Sequence, residues 1–167
     1  MLTSILSHFG FANCIVDFFS NYFVGRFTQY SWNSFLSEAC DADLGMGQGF
    51  ALSSILFALY ITPFIHIFEH RAQALNLDTC ILSFVGDGLL ISQGIMYNIT
   101  LPELYSSYRV VTDLMVCFGL VIKHDKSKIF HFSRVYNNLN PELNFSAISA
   151  LTLKPKTYWR YLGFYFN

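Results

Sequence analysis

The sequence predicts an α+β fold, an incomplete antiparallel sheet with helices packed on one face, and two observations carry that expectation. Segments of helical period recur at Asn13 to Tyr22, from Ala51 onward and from Leu101 to Phe118. Between them lie short apolar runs broken by turn residues, most clearly Thr79 to Val85 and Leu89 to Ser92 around Gly86-Asp87-Gly88. At 167 residues, one domain spanning 1–167 is the expected organisation.

Ile15, Phe18, Phe19, Tyr22 and Phe23 fall at helical spacing, and Gly25 stops the pattern. Arg26 to Trp32 alternates polar and aromatic residues and Ser34 to Leu44 is a second extended run, which predicts a hairpin through Asn33. Gly45 to Gly49, GMGQG, has three glycines in five positions and predicts a turn. The helix from Ala51 is expected to kink or end its first half at Pro63, with the pattern resuming through Glu69 to Leu75. Pro102 suits the first position of the next helix, Glu103 its first turn, and Gly119 its end. Leu120 to Ile122, Lys128 to Phe132 and Tyr158 to Phe166 read as strands, Asp125-Lys126-Ser127 as a turn and Asn137 to Pro141 as a loop.

Composition narrows the function classes. The chain is 53% hydrophobic and 18% aromatic but only 13% charged, against about 25% in an ordinary soluble domain. Much of its surface is therefore expected to be covered, or to meet lipid. A net charge of −1 argues against a free-standing nucleic-acid binder, because counterion release rewards an excess of cations. The cations nevertheless gather in the C-terminal part, as Lys123, Lys126, Lys128 and Arg134 and again as Lys154, Lys156 and Arg160. Cys14, Cys40, Cys80 and Cys117 lack any metal-ligand spacing and read as reduced, buried thiols. The N-terminus has no signal-peptide pattern, so an intracellular chain is expected and the Asn98 and Asn144 sequons carry little weight.

Four constellations are candidates for function. Phe50 to Phe68 is nearly free of charge and approaches the roughly 20 residues that span a bilayer. Ser53, Ser54, Thr62, Pro63 and His66 interrupt it, which favours a buried helix over a membrane-associated one. His66-Ile67-Phe68-Glu69-His70 has the form of an inverted zinc-protease helix, for which Glu142 is the tempting third ligand. The bland reading is a polar helix end leaving the core. Along Lys123 to Arg134, cations alternate with Ile129, Phe130 and Phe132, a pattern that can tuck apolar groups inward and aim lysines at phosphate. An ordinary half-buried strand would look the same. The fourth is the order itself: a Gly-Gln-Gly turn, a helix, an Asp-tipped hairpin, a helix, a lysine turn and a late Tyr-Leu-Gly.

That order resembles a family. GMGQGFALSSILFALYITP looks like the B motif of reverse transcriptases, FVGDG like the Phe/Tyr-x-Asp-Asp of the C motif, GLVIKHDKSKIFHFSR like the D region and YWRYLGFYF like the E motif. Order and spacing are most similar to the RNA-directed DNA polymerases of non-LTR, LINE-type retrotransposons, from about Asn13 onward. The resemblance implies a right-hand polymerase palm, nucleotidyltransferase chemistry with Mg²⁺ held between aspartates, and an RNA/DNA template–primer as partner. It implies that Gly47, Gln48, Gly49 and Phe50 floor the templating base and incoming nucleotide. Asp87 becomes the catalytic and metal-binding remnant of the C pair, and Lys126 the proton donor or phosphate contact. Tyr161, Leu162 and Gly163 become the primer grip.

The departures shape the expectation as much as the matches. Gly86 stands where the first C-motif aspartate belongs and offers no side-chain oxygen. Phe50 stands where serine usually follows Gln-Gly, and Ser54 where proline is usual. No convincing A motif is present: Asp17 lies in a helical pattern, and Asp41 and Asp43 lie too near the glycine turn. The sequence therefore reads as an incomplete palm, without fingers or A motif unless another chain supplies them, and unable to synthesise DNA. Two alternatives stand beside it, a noncatalytic nucleic-acid-binding remnant and a protein associated with membrane through residues 50–68.

Overall fold

The computed structural model describes residues 1–42, 45, 50–132, 143–144, 152–153, 155–156 and 158–166. It bears out the α+β class, with four α-helices and small, mostly antiparallel strand pairs among these residues. Two compact units are distinguished: Met1–Ile65 with Phe84–Asp87, and His66–Ser83 with Gly88–Asn167.

In the first unit, α1 (Leu2–His8) and α2 (Asn13–Tyr22) are followed by two nested strand pairs. The inner pair is β2 (Ser31–Trp32) with β3 (Phe35–Leu36), and the outer is β1 (Phe27–Thr28) with β4 (Cys40–Asp41). Asn33 turns this hairpin at φ 52, as expected, since asparagine tolerates the left-handed region better than most residues. Leu6, Phe19 and Leu56 form the buried cluster, with Leu2, Phe11, Val16, Phe23, Phe50 and Leu59 packed against it. Removing each such large side chain from water contributes about 1.5–3 kcal/mol. Helix α1 has no counterpart in the sequence expectation, although Leu2 and Leu6 stand one turn apart. On α2 the inward face is Val16, Phe19 and Phe23, while Ile15 and Phe18 remain exposed.

Helix α3 runs from Ser53 to Ala74 with Pro63 inside it, so of the two expected outcomes, a kink or an end, the helix does not end there. An interior proline costs about 3 kcal/mol, whereas Ile61, Phe64, Phe68 and Ala72, spaced along one stripe, are almost completely buried. Their burial outweighs the lost backbone bond. Beyond α3 the chain continues with β5 (Thr79–Phe84) and β6 (Asp87–Ser92), whose facing ends Phe84 and Asp87 belong to the first unit, then α4 (Tyr97–Cys117), a 3-10 turn at His124–Lys126 and β7 (Ile129–Phe130). After them come β8 (Leu143–Asn144), β9 (Thr152–Leu153), β10 (Pro155–Lys156), β11 (Trp159–Tyr161) and β12 (Phe164–Phe166). The β7–β10 pair is parallel, a departure from the wholly antiparallel expectation.

Helix α4 starts five residues before the expected Leu101 to Pro102 boundary and carries Pro102 inside it. Thr100 and Ile99 donate to the Met96 carbonyl, and the missing proline donor costs one bond within the second turn, where helices tolerate it better than at mid-length. Gly94 is required just upstream, because a Cβ there would fall 2.6 Å from Thr100 Cγ2. Gly119, at φ 64, ends the helix as expected, with Leu120 N–H donating back to Met115. That bond diverts the backbone of Leu120, and no strand forms at Leu120 to Ile122. Lys128 to Phe132 contracts to β7, and Tyr158 to Phe166 is a hairpin rather than one strand. The predicted loop Asn137 to Pro141 lies outside the described residues.

The thiols require a correction. Cys14, Cys40 and Cys117 are exposed and Cys80 is half-buried; all four are free. Cys14 and Cys117 stand at helix ends and Cys40 on a two-residue strand open on both faces, so no element covers them.

Candidate nucleic-acid and nucleotidyl-transfer site

The site is built on the β5–β6 hairpin. Its strands are half-buried at the base and exposed at the tip. Hydrogen bonds hold the base: Gln93 N–H donates to Asp78 at 3.1 Å, and the Thr79 hydroxyl meets that of the fully buried Ser107 at 2.9 Å. Ser92 Oγ is within donating distance of the Thr100 carbonyl (3.2 Å) and the Glu103 carboxylate (3.3 Å). A buried hydroxyl such as Ser107 needs a partner, and Thr79 supplies it across the α4–β5 contact.

The turn itself differs from the expected Gly86-Asp87-Gly88 hinge. β5 ends at Phe84 and β6 opens at Asp87, so the loop is Val85-Gly86. Val85 takes φ 51, an uncommon and strained value for a β-branched residue, while Gly86 does not use the left-handed region. A Cβ built on Gly86 meets nothing within 4 Å. The glycine therefore answers no steric demand, and it offers no side-chain oxygen beside Asp87.

Asp87 is exposed at the first position of β6. Asp17 is exposed on α2, as its helical pattern implied, Asp41 is exposed on β4, and Asp43 lies outside the described residues. Among the described residues no three His, Cys, Asp or Glu side chains come together as a metal-binding group. A two-Mg²⁺ site needs several oxygen ligands placed together, and the donor set at this hairpin, one carboxylate beside a glycine, does not fit it. His66 Nδ1 lies 3.6 Å from Glu69 Oε2, both well exposed, and the third ligand considered for the zinc reading, Glu142, is outside the described residues. No helix among the described residues is long and apolar enough to cross a membrane.

Lys126 sits in the 3-10 turn, where its N–H donates to Lys123, and Ser127 caps the turn through bonds to His124 and Lys123. The turn is fastened to α4 by a 2.7 Å hydrogen bond between His124 Nδ1 and Tyr108 Oη. Burial raises the Tyr108 phenol above its ordinary 10.0. Leu101, Leu104, Tyr105, Tyr108 and Ile129 are partly buried and pack against one hydrophobic cluster. Lys123, Lys126 and Lys128 are exposed while Ile129 and Phe130 are half-buried, the alternation expected; Phe132, expected inside, is exposed. His131 meets the Tyr97 ring edge-on at 4.6 Å.

The Tyr-Leu-Gly stretch forms the tip of the β11–β12 hairpin. Trp159 pairs with Phe166, Arg160 with Tyr165 and Tyr161 with Phe164. Leu162 and Gly163 both take positive φ, 49 and 91, the signature of a type I′ turn, which glycine accepts freely and leucine does not. Phe164 and Tyr165 are exposed, and the Arg160 guanidinium lies 5.6 Å above the Tyr165 ring. Exposed rings beside a cation can stack bases and meet phosphate.

Gly47, Gln48 and Gly49 lie outside the described residues. Phe50, next to them, is half-buried and stacks on Tyr22 with centroids 5.3 Å apart and planes 19° from parallel. Asp87 and Phe50 belong to the first unit, and Lys126, Tyr161, Leu162 and Gly163 to the second. Sequence reasoning missed Tyr22, Arg26, Tyr108 and His124. For the Tyr108–His124 pair, 16 apart in sequence, no local pattern signals the contact.

No curated protein and no solved structure matches the chain. The family described as reverse transcriptase (RNA-dependent DNA polymerase) matches residues 5–166, nearly the whole length, and so includes the turn, both hairpins and the lysine segment described above. The chain belongs to the reverse transcriptase family.

Proposed function

We propose that this chain is the palm of a non-LTR, LINE-type retrotransposon polymerase that engages an RNA/DNA template–primer without adding nucleotides to it. The observation that carries the reading is Gly86, which occupies an unobstructed turn position beside Asp87 and leaves the hairpin with one carboxylate. Family membership supports the template–primer as partner, and the exposed Lys123, Lys126 and Lys128 with the open Phe164 and Tyr165 rings support a gripping surface. Gly47, Gln48, Gly49 and Phe50 are read as the floor under the templating base. Tyr161, Leu162 and Gly163 are read as the primer grip, and Lys126 as a phosphate contact. In active relatives of this kind Mg²⁺ would supply charge stabilisation during phosphoryl transfer; in this chain the residues are read as holding nucleic acid alone.

Fluorescence anisotropy with a labelled RNA–DNA template–primer tests the proposal. The expected result is saturable binding whose affinity falls steeply with salt. Binding that is absent, or indifferent to salt, contradicts it.

A further inference from the structure

His124 is held by one ring nitrogen and leaves the other open. Its Nδ1 lies 2.7 Å from Tyr108 Oη, with the ring centroids 6.2 Å apart and the planes tilted at 59°. Both residues belong to the second unit, one on α4 and one in the 3-10 turn. The short separation assigns the proton: O–H donors favour about 2.7–2.8 Å and N–H donors about 2.9–3.0 Å, so the phenol donates and Nδ1 accepts. Burial, which raises the Tyr108 phenol above 10.0 and so keeps its proton on, agrees with that assignment. A neutral imidazole that accepts at Nδ1 carries its proton at Nε2, and in the charged ring both nitrogens donate, so Nε2–H is a donor in either state. That N–H has no acceptor among the described residues and is not sealed from solvent. The surrounding charge is cationic: Lys123, Lys126 and Lys128 are exposed on the same stretch, against the single acid Asp125.

We propose that His124 is a further template–primer contact, donating from Nε2 to a phosphate oxygen beside the lysines, and that Tyr108 is the residue that positions its ring. The role deepens the gripping-surface reading and rests on it. The lysines supply attraction from long flexible stems, which give a phosphate little direction. A ring locked at one nitrogen offers its other nitrogen at a fixed place, so less side-chain freedom is lost when the backbone docks. The contact is also distinct in kind from a lysine: an uncharged donor adds affinity without releasing a counterion.

The test uses the full chain at about pH 8, where histidine side chains are ordinarily neutral, and reads template–primer anisotropy across a salt series. His124→Ala is expected to bind about tenfold more weakly, the usual worth of a hydrogen bond to a charged group, with the slope of log affinity against log salt unchanged. Two further variants separate contact from support. The asparagine amide reaches only to the place of Nδ1 and can still meet Tyr108, whereas the glutamine amide reaches the place of Nε2. His124→Asn should therefore bind as weakly as His124→Ala, and His124→Gln should recover most of the loss. Recovery by asparagine and not by glutamine makes the residue a support for the turn and overturns the contact, as does unchanged affinity in His124→Ala or a flattened salt slope. Imidazole nitrogen shifts of the free chain read the lock without nucleic acid: Nε2 protonated in the parent, and a mixture of tautomers in Tyr108→Phe. A proton found on Nδ1, or a tautomer indifferent to Tyr108→Phe, overturns the positioning role. A parent chain that binds no template–primer refutes the proposed function and the contact together, while the nitrogen shifts still decide whether Tyr108 sets the ring.

Discussion

Tyr108 Oη stands 2.7 Å from His124 Nδ1, and through that bond helix α4 holds the turn on which Lys126 is mounted. Tyr108→Phe keeps the packing against Leu104 and Ile129 but leaves His124 without this partner. The expected cost is about 1 kcal/mol, or a fall in melting temperature of about 3 °C for a chain of this size. Amide hydrogen exchange should show faster opening over residues 123–127 than in the parent. Unaltered exchange there means the bond does not organise the turn.

Lys126 and Lys128 face solvent while their neighbours Ile129 and Phe130 turn inward. Replacing both lysines by glutamine should weaken template–primer binding at low salt. It should also flatten the dependence of log affinity on log salt by about 0.9 for each duplex phosphate that these lysines neutralise. A slope identical to that of the parent would remove these lysines from the interface.

At the β5–β6 turn, Gly86→Asp is expected to fold normally, within about 0.5 kcal/mol of the parent, since the added Cβ meets nothing and the backbone is outside the left-handed region. Val85→Gly should be neutral or stabilising by up to about 1 kcal/mol, by releasing a β-branched residue from φ 51. Chemical denaturation checks both. A strongly destabilised Gly86→Asp chain would show that the glycine serves the fold after all.

Burial raises the phenols of Tyr60, Tyr97 and Tyr108 above their ordinary value of 10.0. The folded state therefore binds these protons more tightly than the unfolded state. The stability they contribute is fully present below pH 10 and is lost as pH climbs through the raised values. Denaturation midpoints should fall above pH 10, and Tyr108→Phe should fall less steeply there than the parent. A parallel decline in both chains would exclude Tyr108 from the effect.

Elements set by local pattern were legible before the structure. Helix α2 was legible from Ile15, Phe18, Phe19, Tyr22 and Phe23, although Val16, Phe19 and Phe23 are the residues that turn inward; the turn at Asn33 lies between alternating runs, and Gly119 ends α4 because its φ of 64 suits glycine. Boundaries governed by tertiary packing were not. Pro63 was expected to kink its helix or end its first half and Pro102 to open the next, yet both helices run through them where buried neighbours such as Phe64, or a place near the helix start, outweigh one lost bond. Strands at the C-terminal end shortened because a period-2 run does not specify its ladder partner.

The candidate residues were legible by order and spacing, and their support less so. Asp87 and Lys126 stand on the types of element anticipated, a hairpin and a turn, whereas Tyr161 to Gly163, expected within a single strand, form the tip of a second hairpin. The loop register was missed by one residue, since the strained Val85 occupies a position that sequence preference would give to Gly86. The partners of Arg26 and Phe50 lie 19 residues away at Gly45 and on helix α2 at Tyr22, separations that no periodicity reports.

The proposed chain binds template–primer through its lysines and exposed rings but, with Asp87 beside Gly86, does not extend it. Primer extension by the full chain, with Mg²⁺ or Mn²⁺, dNTPs and an annealed RNA–DNA substrate that the chain is shown to bind, is the decisive measurement. No nucleotide addition above that of Asp87→Ala is expected, for the parent and for Gly86→Asp alike. Extension by the parent that disappears on Asp87→Ala would contradict it.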